Sequence, residues 1–139
     1  MTETSVTKEQ EALERFQSGC NCCQAVLLSF CSDYGIDEKL AKDLSSGFGG
    51  GMRIGETCGA LCGAMMVMDI KNGKQHSDAA AQKAQTAAQA IYLGEQFKEN
   101  MGAVSCHTIL AKNKEEKLPA RSLCKKAVST AVELLEALK

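Results

Sequence analysis

Eight cysteines, at positions 20, 22, 23, 31, 58, 62, 106 and 124, are the residues of this 139-residue chain whose type invites chemistry. A free cysteine is an ordinary small core residue, so one or two would carry no message. Eight need another account, because the chain opens on a polar stretch, MTETSVTKEQEALERF, with no basic-then-apolar leader. A disulfide scaffold fits poorly: the expected compartment is the cytoplasm, where thiols stay reduced, and a chain this long can bury roughly two-thirds of its unfolded surface unstapled. Two chemistries remain. In thiol redox exchange a thiolate attacks a sulfur or an oxidant; in metal ligation several thiolates share an ion or a cluster.

Placement on predicted helices separates the cysteines. Cys22 falls in the first turn of a helix starting near Asn21, Cys58 in the first turn of an apolar helix, and Cys106 just after a Ser105 cap. Unpaired N–H groups and the positive dipole end at such sites favour a thiolate, which lowers its pKa and sharpens it as nucleophile or ligand. Cys124 lies about a turn into the last helix, on its apolar face. Three helix starts and one inward thiol are expected to meet in one electropositive pocket inside a bundle. Cys23 and Cys31 share a stripe with Val26, Leu27 and Phe30, and Cys62 sits one turn past Cys58, so these three read as core. Cys20 takes no assignment. Cys58 and Cys62 can share a helix face, although a disulfide between them would strain a regular helix. The single C-x-x-C, CNCC at 20–23, has neither a strand–helix redox fold around it nor a second such pair for a zinc finger.

Other motifs are weaker. GFGGGMRIG (47–55) lacks the Gly-Lys-Ser/Thr ending of a phosphate loop and follows no strand. Its glycines suit a backbone that brings N–H groups close to a sulfur, an anion or another helix. Arg53 either adds positive charge near Cys58 or makes a surface ion pair. His107, beside Cys106, is a candidate ligand or proton carrier, and His76 belongs to a solvated turn. Met52, Met65, Met66, Met68 and Met101 read as core.

The elements that must position these residues are helical. One proline in 139 residues, with abundant Ala, Leu, Glu, Lys and Gln, points that way. Thr7 caps a first helix to Gln17, with Leu13 and Phe16 inward; a second runs from Asn21 to Tyr34, stopped by Gly35; a third, capped by Asp37, reaches Leu44. The stretch Thr57 to Ile70 is apolar on every side and belongs mid-bundle, ended by an Asn72-Gly73 turn. Ser77 or Asp78 caps a long helix to Met101, whose Ala80, Ala84, Ala87, Ala88 and Ile91 offer a smooth face for another helix. Ser105 caps a short turn, KNKEEK (112–117) reads as a solvated loop, and Pro119 sits near the first turn of a last helix. Its buried stripe is Leu123, Cys124, Ala127, Val128, Ala131, Leu134, Leu135 and Leu138. No stretch alternates with period two and no internal repeat occurs. The expected architecture is all-α: one domain over 1–139, a bundle of about six helices with a buried central helix. Sixteen Lys+Arg against seventeen Asp+Glu, a net charge of −1, argue against a nucleic-acid partner or a polybasic membrane-surface protein. With 4% aromatics and no Trp, base stacking is equally out of place. The longest apolar run, Gly59 to Met68, is about half of the ~20 residues that insertion in a membrane needs.

GCNCCQAVL (19–27), FGGGMRIGETCGALCGAMM (48–66) and the lone Cys106 and Cys124 together resemble the C_GCAxxG_C_C family, small proteins read as redox-active from their cysteines. The resemblance covers nearly the whole chain, and CGALCG after a glycine run is its specific part. It implies that the four family cysteines fall on Cys22, Cys58, Cys106 and Cys124, and it identifies a class of chemistry without naming a reaction. Similar domains occur beside haem-binding segments of some multihaem cytochromes, where the cysteines suggest a non-haem iron or iron–sulfur site. This chain has no C-x-x-C-H for covalent haem. Cys20, Cys23, Cys31 and Cys62 are additions to the usual pattern, where relatives commonly hold Ser, Ala or Thr-like residues, and they leave open which sulfurs act, above all between Cys22 and Cys23.

Three functions compete. In the first, a low-pKa cysteine, with Cys58 the expected attacker, opens a substrate disulfide and a second cysteine resolves the mixed disulfide. In the second, Cys22, Cys58, Cys106 and Cys124 hold an iron–sulfur cluster or a tetrahedral zinc. In the third, the chain is a helical interaction module whose thiols only fill space. A redox role implies a redox partner protein, and the alanine-rich helix and methionine-rich core suit a homodimer.

Overall fold

Polar caps start most of the helices. The computed structural model describes residues 6–75 and 77–138, and among them seven helices follow one another. Helix α1 (Lys8–Gln17) begins at Thr7 and α2 (Cys22–Phe30) at Asn21. Each cap closes a reciprocal box with the glutamine three residues on, so two otherwise orphaned N–H groups are satisfied at each start. Asp37 caps α3 (Glu38–Ser45), Asp78 caps α5 (Ala79–Met101) and Ser105 caps α6 (Cys106–Glu115). The last helix, α7 (Ser122–Ala137), follows Arg121, which supplies no side-chain cap. Its cap comes from another helix: the buried Asn113 of α6 accepts the Leu123 N–H at 2.8 Å and donates to the Pro119 carbonyl at 3.1 Å.

The remaining helix, α4 (Gly59–Gln75), packs against α2 through two glycines one turn apart. A Cβ on Gly59 would stand 2.8 Å from the Phe48 carbonyl oxygen and 3.1 Å from the Cys23 nitrogen, and one on Gly63 would stand 2.8 Å from the Cys23 carbonyl oxygen. The glycines therefore let the α4 axis approach the α2 backbone at Cys22 and Cys23. One hydrophobic cluster runs through all seven helices, from Ala12 and Phe16 of α1 to Ile109 of α6 and Leu135 of α7.

The predicted elements stand, with local corrections. The second helix tightens to a 3₁₀ turn over Cys31–Tyr34 before Gly35 ends it in the left-handed region, φ 66°. Burial on every side belongs to α2, from Cys23 to Phe30, whereas α4 leaves Cys62, Met65 and Met66 half-buried and Asp69 exposed. Asn72-Gly73 does not break α4, because Asn72 is buried and its amide donates to Thr86 and Gln89 of α5 at 3.2 and 3.0 Å. The segment 112–117 is largely the end of α6 rather than a loop, and α7 starts three residues after Pro119. Met52 is exposed instead of buried. Ala80, Ala84, Ala87, Ala88 and Ile91 face outward, with no described helix of this chain over them. His76 lies outside the described residues. No helix among them is long and apolar enough to cross a membrane.

Candidate functional site

Four of the cysteines stand at helix beginnings. Cys22 and Cys106 are the first residues of α2 and α6, Cys58 immediately precedes α4, and Cys124 is the third residue of α7. The expectation that Cys124 lies a turn inside its helix is corrected by the later start of α7. Two backbone links set Cys58 beside Cys106: the Cys58 N–H donates to the Val104 carbonyl at 2.7 Å, and the Cys106 N–H to the Glu56 carbonyl at 2.6 Å. They flank a short antiparallel bridge between Thr57 and Ser105. The glycine loop makes room for it. Gly50, Gly51, Met52 and Arg53 are successive left-handed residues, with φ between 61° and 66°. A Cβ on Gly51 would sit 2.6 Å from the Cys106 Cβ, which is why the sequence needs glycine there.

Cys22, Cys106 and Cys124 line one cleft of about 380 Å³, together with Asn21, Arg53 and Arg121. Cys58 lies outside this lining, 4% exposed, yet its charge state is felt by Cys22. So the sequence-predicted quartet is brought into one neighbourhood, three at the wall of an open cleft and one behind it. The thiols do not respond alike. Proton sharing with the Cys124 sulfur, then burial and the neighbouring thiolates, holds Cys22 protonated far above the usual thiol range. The same sharing, helped by the Arg121 guanidinium and opposed by burial, lowers Cys124 to about 7. The pair thus gives up one proton near neutrality and keeps the other.

Helix starts do not lower the other thiols, which corrects the expectation for Cys22, Cys58 and Cys106. Burial pushes Cys58 up to about 11, outweighing the help that the Ala60 and Leu61 N–H groups give its thiolate. Burial, then the charge of Cys124, raises Cys106 against the pull of Arg121. The orphan N–H groups favour a thiolate at Cys58, but there the cost of taking charge out of water is larger. Cys58 is therefore a poor attacker at neutral pH. Of the four, Cys124 is the one that is lowered, to about 7.

The other cysteines divide. Cys31 is buried, with its thiol on the Leu27 carbonyl at 3.4 Å, and Cys23 is wholly enclosed, 3.9 Å from the Met66 sulfur and pushed up to about 12 by burial. Cys62 is half-buried near the Thr57 carbonyl, and Cys20 is half-buried at the cleft rim. His107 is exposed on α6. Sequence reasoning missed Arg121 and Asn113. A cation three residues ahead of Cys124 was a usable signal; the cross-helix cap by Asn113 had none.

The quartet has the donor chemistry of an iron–sulfur cluster or a zinc site. Among the described residues, however, no group of three or more His, Cys, Asp or Glu side chains is placed to hold one metal ion. In this arrangement the thiols form a pair and two neighbours rather than a ligand cage.

A family model described as "Putative redox-active protein (C_GCAxxG_C_C)" matches residues 20–138. Comparison with curated proteins and with solved structures gives no match.

Proposed function

This chain belongs to the C_GCAxxG_C_C family, and on that premise we propose that it is a thiol–disulfide exchange protein whose working pair is Cys22 and Cys124. The observation that carries the reading is that Cys22 and Cys124, at the beginnings of α2 and α7, line the same open cleft beside Arg121, where each shifts the proton affinity of the other. The Cys124 thiolate attacks one sulfur of a substrate disulfide. That S–S bond breaks, a Cys124–substrate mixed disulfide forms, and the other half leaves as a thiolate. The leaving thiolate accepts the Cys22 proton. The Cys22 thiolate then attacks the Cys124 sulfur, the Cys124–substrate bond breaks, the Cys22–Cys124 disulfide forms, and the second half of the substrate leaves as a thiolate that takes its proton from water. The substrate gains two electrons and the protein pair loses them. Cys58 and Cys106 stay protonated and add no charge that would compete with Cys124.

Oxidation of the reduced protein with dithiodipyridine, followed by thiol counting and peptide mapping, tests this. The expected result is the loss of two thiols as one Cys22–Cys124 bridge, reversed by dithiothreitol and abolished in C22A and in C124A. A bridge elsewhere, or no bridge, would refute the pair. Anaerobically purified protein carrying stoichiometric iron and acid-labile sulfide, or zinc, would replace exchange with ligation by Cys22, Cys58, Cys106 and Cys124. Survival of the fold and of partner binding with all four replaced by Ala or Ser, and no thiol exchange in the parent, would leave an interaction module.

A further inference from the structure

The cleft has a charge asymmetry that exchange chemistry alone does not require. Its lining contains two guanidinium groups, Arg53 and Arg121, and no Asp or Glu. Neither arginine enters an ion pair among the described residues, where the four ion pairs use Lys8, Arg15 and Lys39. Arg53 spends one N–H on the Ser46 carbonyl at 3.0 Å, and Arg121 lies over the Phe16 ring, 5.9 Å from its centroid. Most of both donor forks stays free. Both arginines are also held in the left-handed region, φ 66° and 63°, which costs an L residue about 1–2 kcal/mol each. The two sit on unrelated segments, the glycine loop and the start of α7, so their meeting is a product of the tertiary fold.

We propose, resting on the exchange reading above, that the cleft selects low-molecular-weight disulfides that carry carboxylates, held by Arg53 and Arg121 of the wall they share with Cys22 and Cys124. Guanidinium forks match carboxylates in a planar, two-bond geometry that lysine does not offer. A space of about 380 Å³ falls in the range of small-molecule sites, ~300–1,000 Å³, rather than that of a protein–protein contact. The absence of acidic side chains in the lining leaves the positive field unopposed, so a cationic disulfide is repelled by the same groups that attract an anionic one.

The full-length reduced protein is mixed with oxidised glutathione, hydroxyethyl disulfide and cystamine, which are anionic, neutral and cationic. Each second-order rate is divided by that of dithiothreitol with the same disulfide, which removes intrinsic reactivity. The expected order is glutathione first and cystamine last, separated at least tenfold in low salt and less than threefold in about 0.5 M salt, where screening lengths shrink to a few ångströms. Arg53→Gly, which suits the left-handed backbone and so protects the fold, lowers the glutathione-to-hydroxyethyl ratio at least threefold; Arg53→Lys retains part of it. Equal normalised rates, a preference for cystamine, or an R53G protein with the ratio unchanged overturn the selectivity and leave exchange intact. No reaction with any of the three disulfides overturns exchange itself.

Discussion

Removing the Cys22 thiol gives the sharpest quantitative test of the pair. Cys124 stands at about 7 instead of its ordinary value of 9.0, chiefly because Cys22 donates to it. In C22A that donor is gone while burial still raises Cys124 and Arg121 still lowers it, so its pKa returns toward 9.0. At pH 7 the thiolate fraction falls from about one-half to about 1%, a ~50-fold loss. The more basic thiolate is the better nucleophile: with a Brønsted slope of about 0.45, two pKa units return a factor of ~8. The variant should thus react with dithiodipyridine at Cys124 about sixfold more slowly than the parent at pH 7, and several-fold faster at pH 10, where both are ionised. The two rate–pH curves cross near pH 8. Stopped-flow absorbance, with peptide mapping to isolate the Cys124 adduct, reads this directly, and C22S, which keeps a hydroxyl donor, should fall between the two. A C22A profile with its midpoint still near 7, or one lying below the parent at every pH, would refute the shared-proton account.

Three further outcomes follow from packing and burial. Gly63→Ala should destabilise the fold by about 1–3 kcal/mol in urea titration despite its better helix propensity, because its Cβ meets the Cys23 carbonyl at 2.8 Å; Gly94→Ala, with nothing within 4 Å of the added carbon, should stabilise it by about 0.5–1 kcal/mol. Both substitutions changing stability in the same direction would show that the α2–α4 approach is looser than described. Cys58 and Cys23 are raised in the folded state to about 11 and about 12, so the stability they contribute is complete below the ordinary thiol value of 9.0 and is lost as pH climbs through 9 toward 12. Each pKa unit is worth ~1.4 kcal/mol, so stability should drop by several kcal/mol between pH 8 and pH 11.5, and less so in C58A; a flat profile by circular dichroism melts would contradict their burial. Asn113→Ala removes the α7 cap and strands the Leu123 N–H, with an expected loss of about 2 kcal/mol in denaturant midpoint analysis; a change below about 0.5 kcal/mol would show that water takes over the cap.

The helices were legible in the chain because their signals are local. Thr7, Asn21, Asp37, Asp78 and Ser105 act on N–H groups two or three residues away, and Gly35 and Gly102 end helices through their own φ. Where a residue answers to a distant partner, local reading failed. Asn72 before Gly73 looks like a turn until Thr86 and Gln89 claim its amide, and Asn113 looks like part of a charged surface until it caps α7. The choice of cysteine positions was legible for the same local reason, since the beginning of a helix can be read from its cap.

Which thiol ionises was another matter. A helix start favours a thiolate in every case, but desolvation, the nearest hydrogen-bond donor and the nearest cation decide the sign of the shift. All three depend on what the fold packs around the sulfur. Cys58 has the orphan N–H groups and loses to burial; Cys124 has Cys22 and Arg121 and wins. Sequence by itself determined the helices, their order and the residues at their heads. The positive cleft that Cys22, Cys106 and Cys124 share is a product of packing between segments tens of residues apart, with glycines 51, 59 and 63 making room for Cys106 and for the α2 backbone, and electrostatic coupling depends on distances in space that chain spacing does not encode.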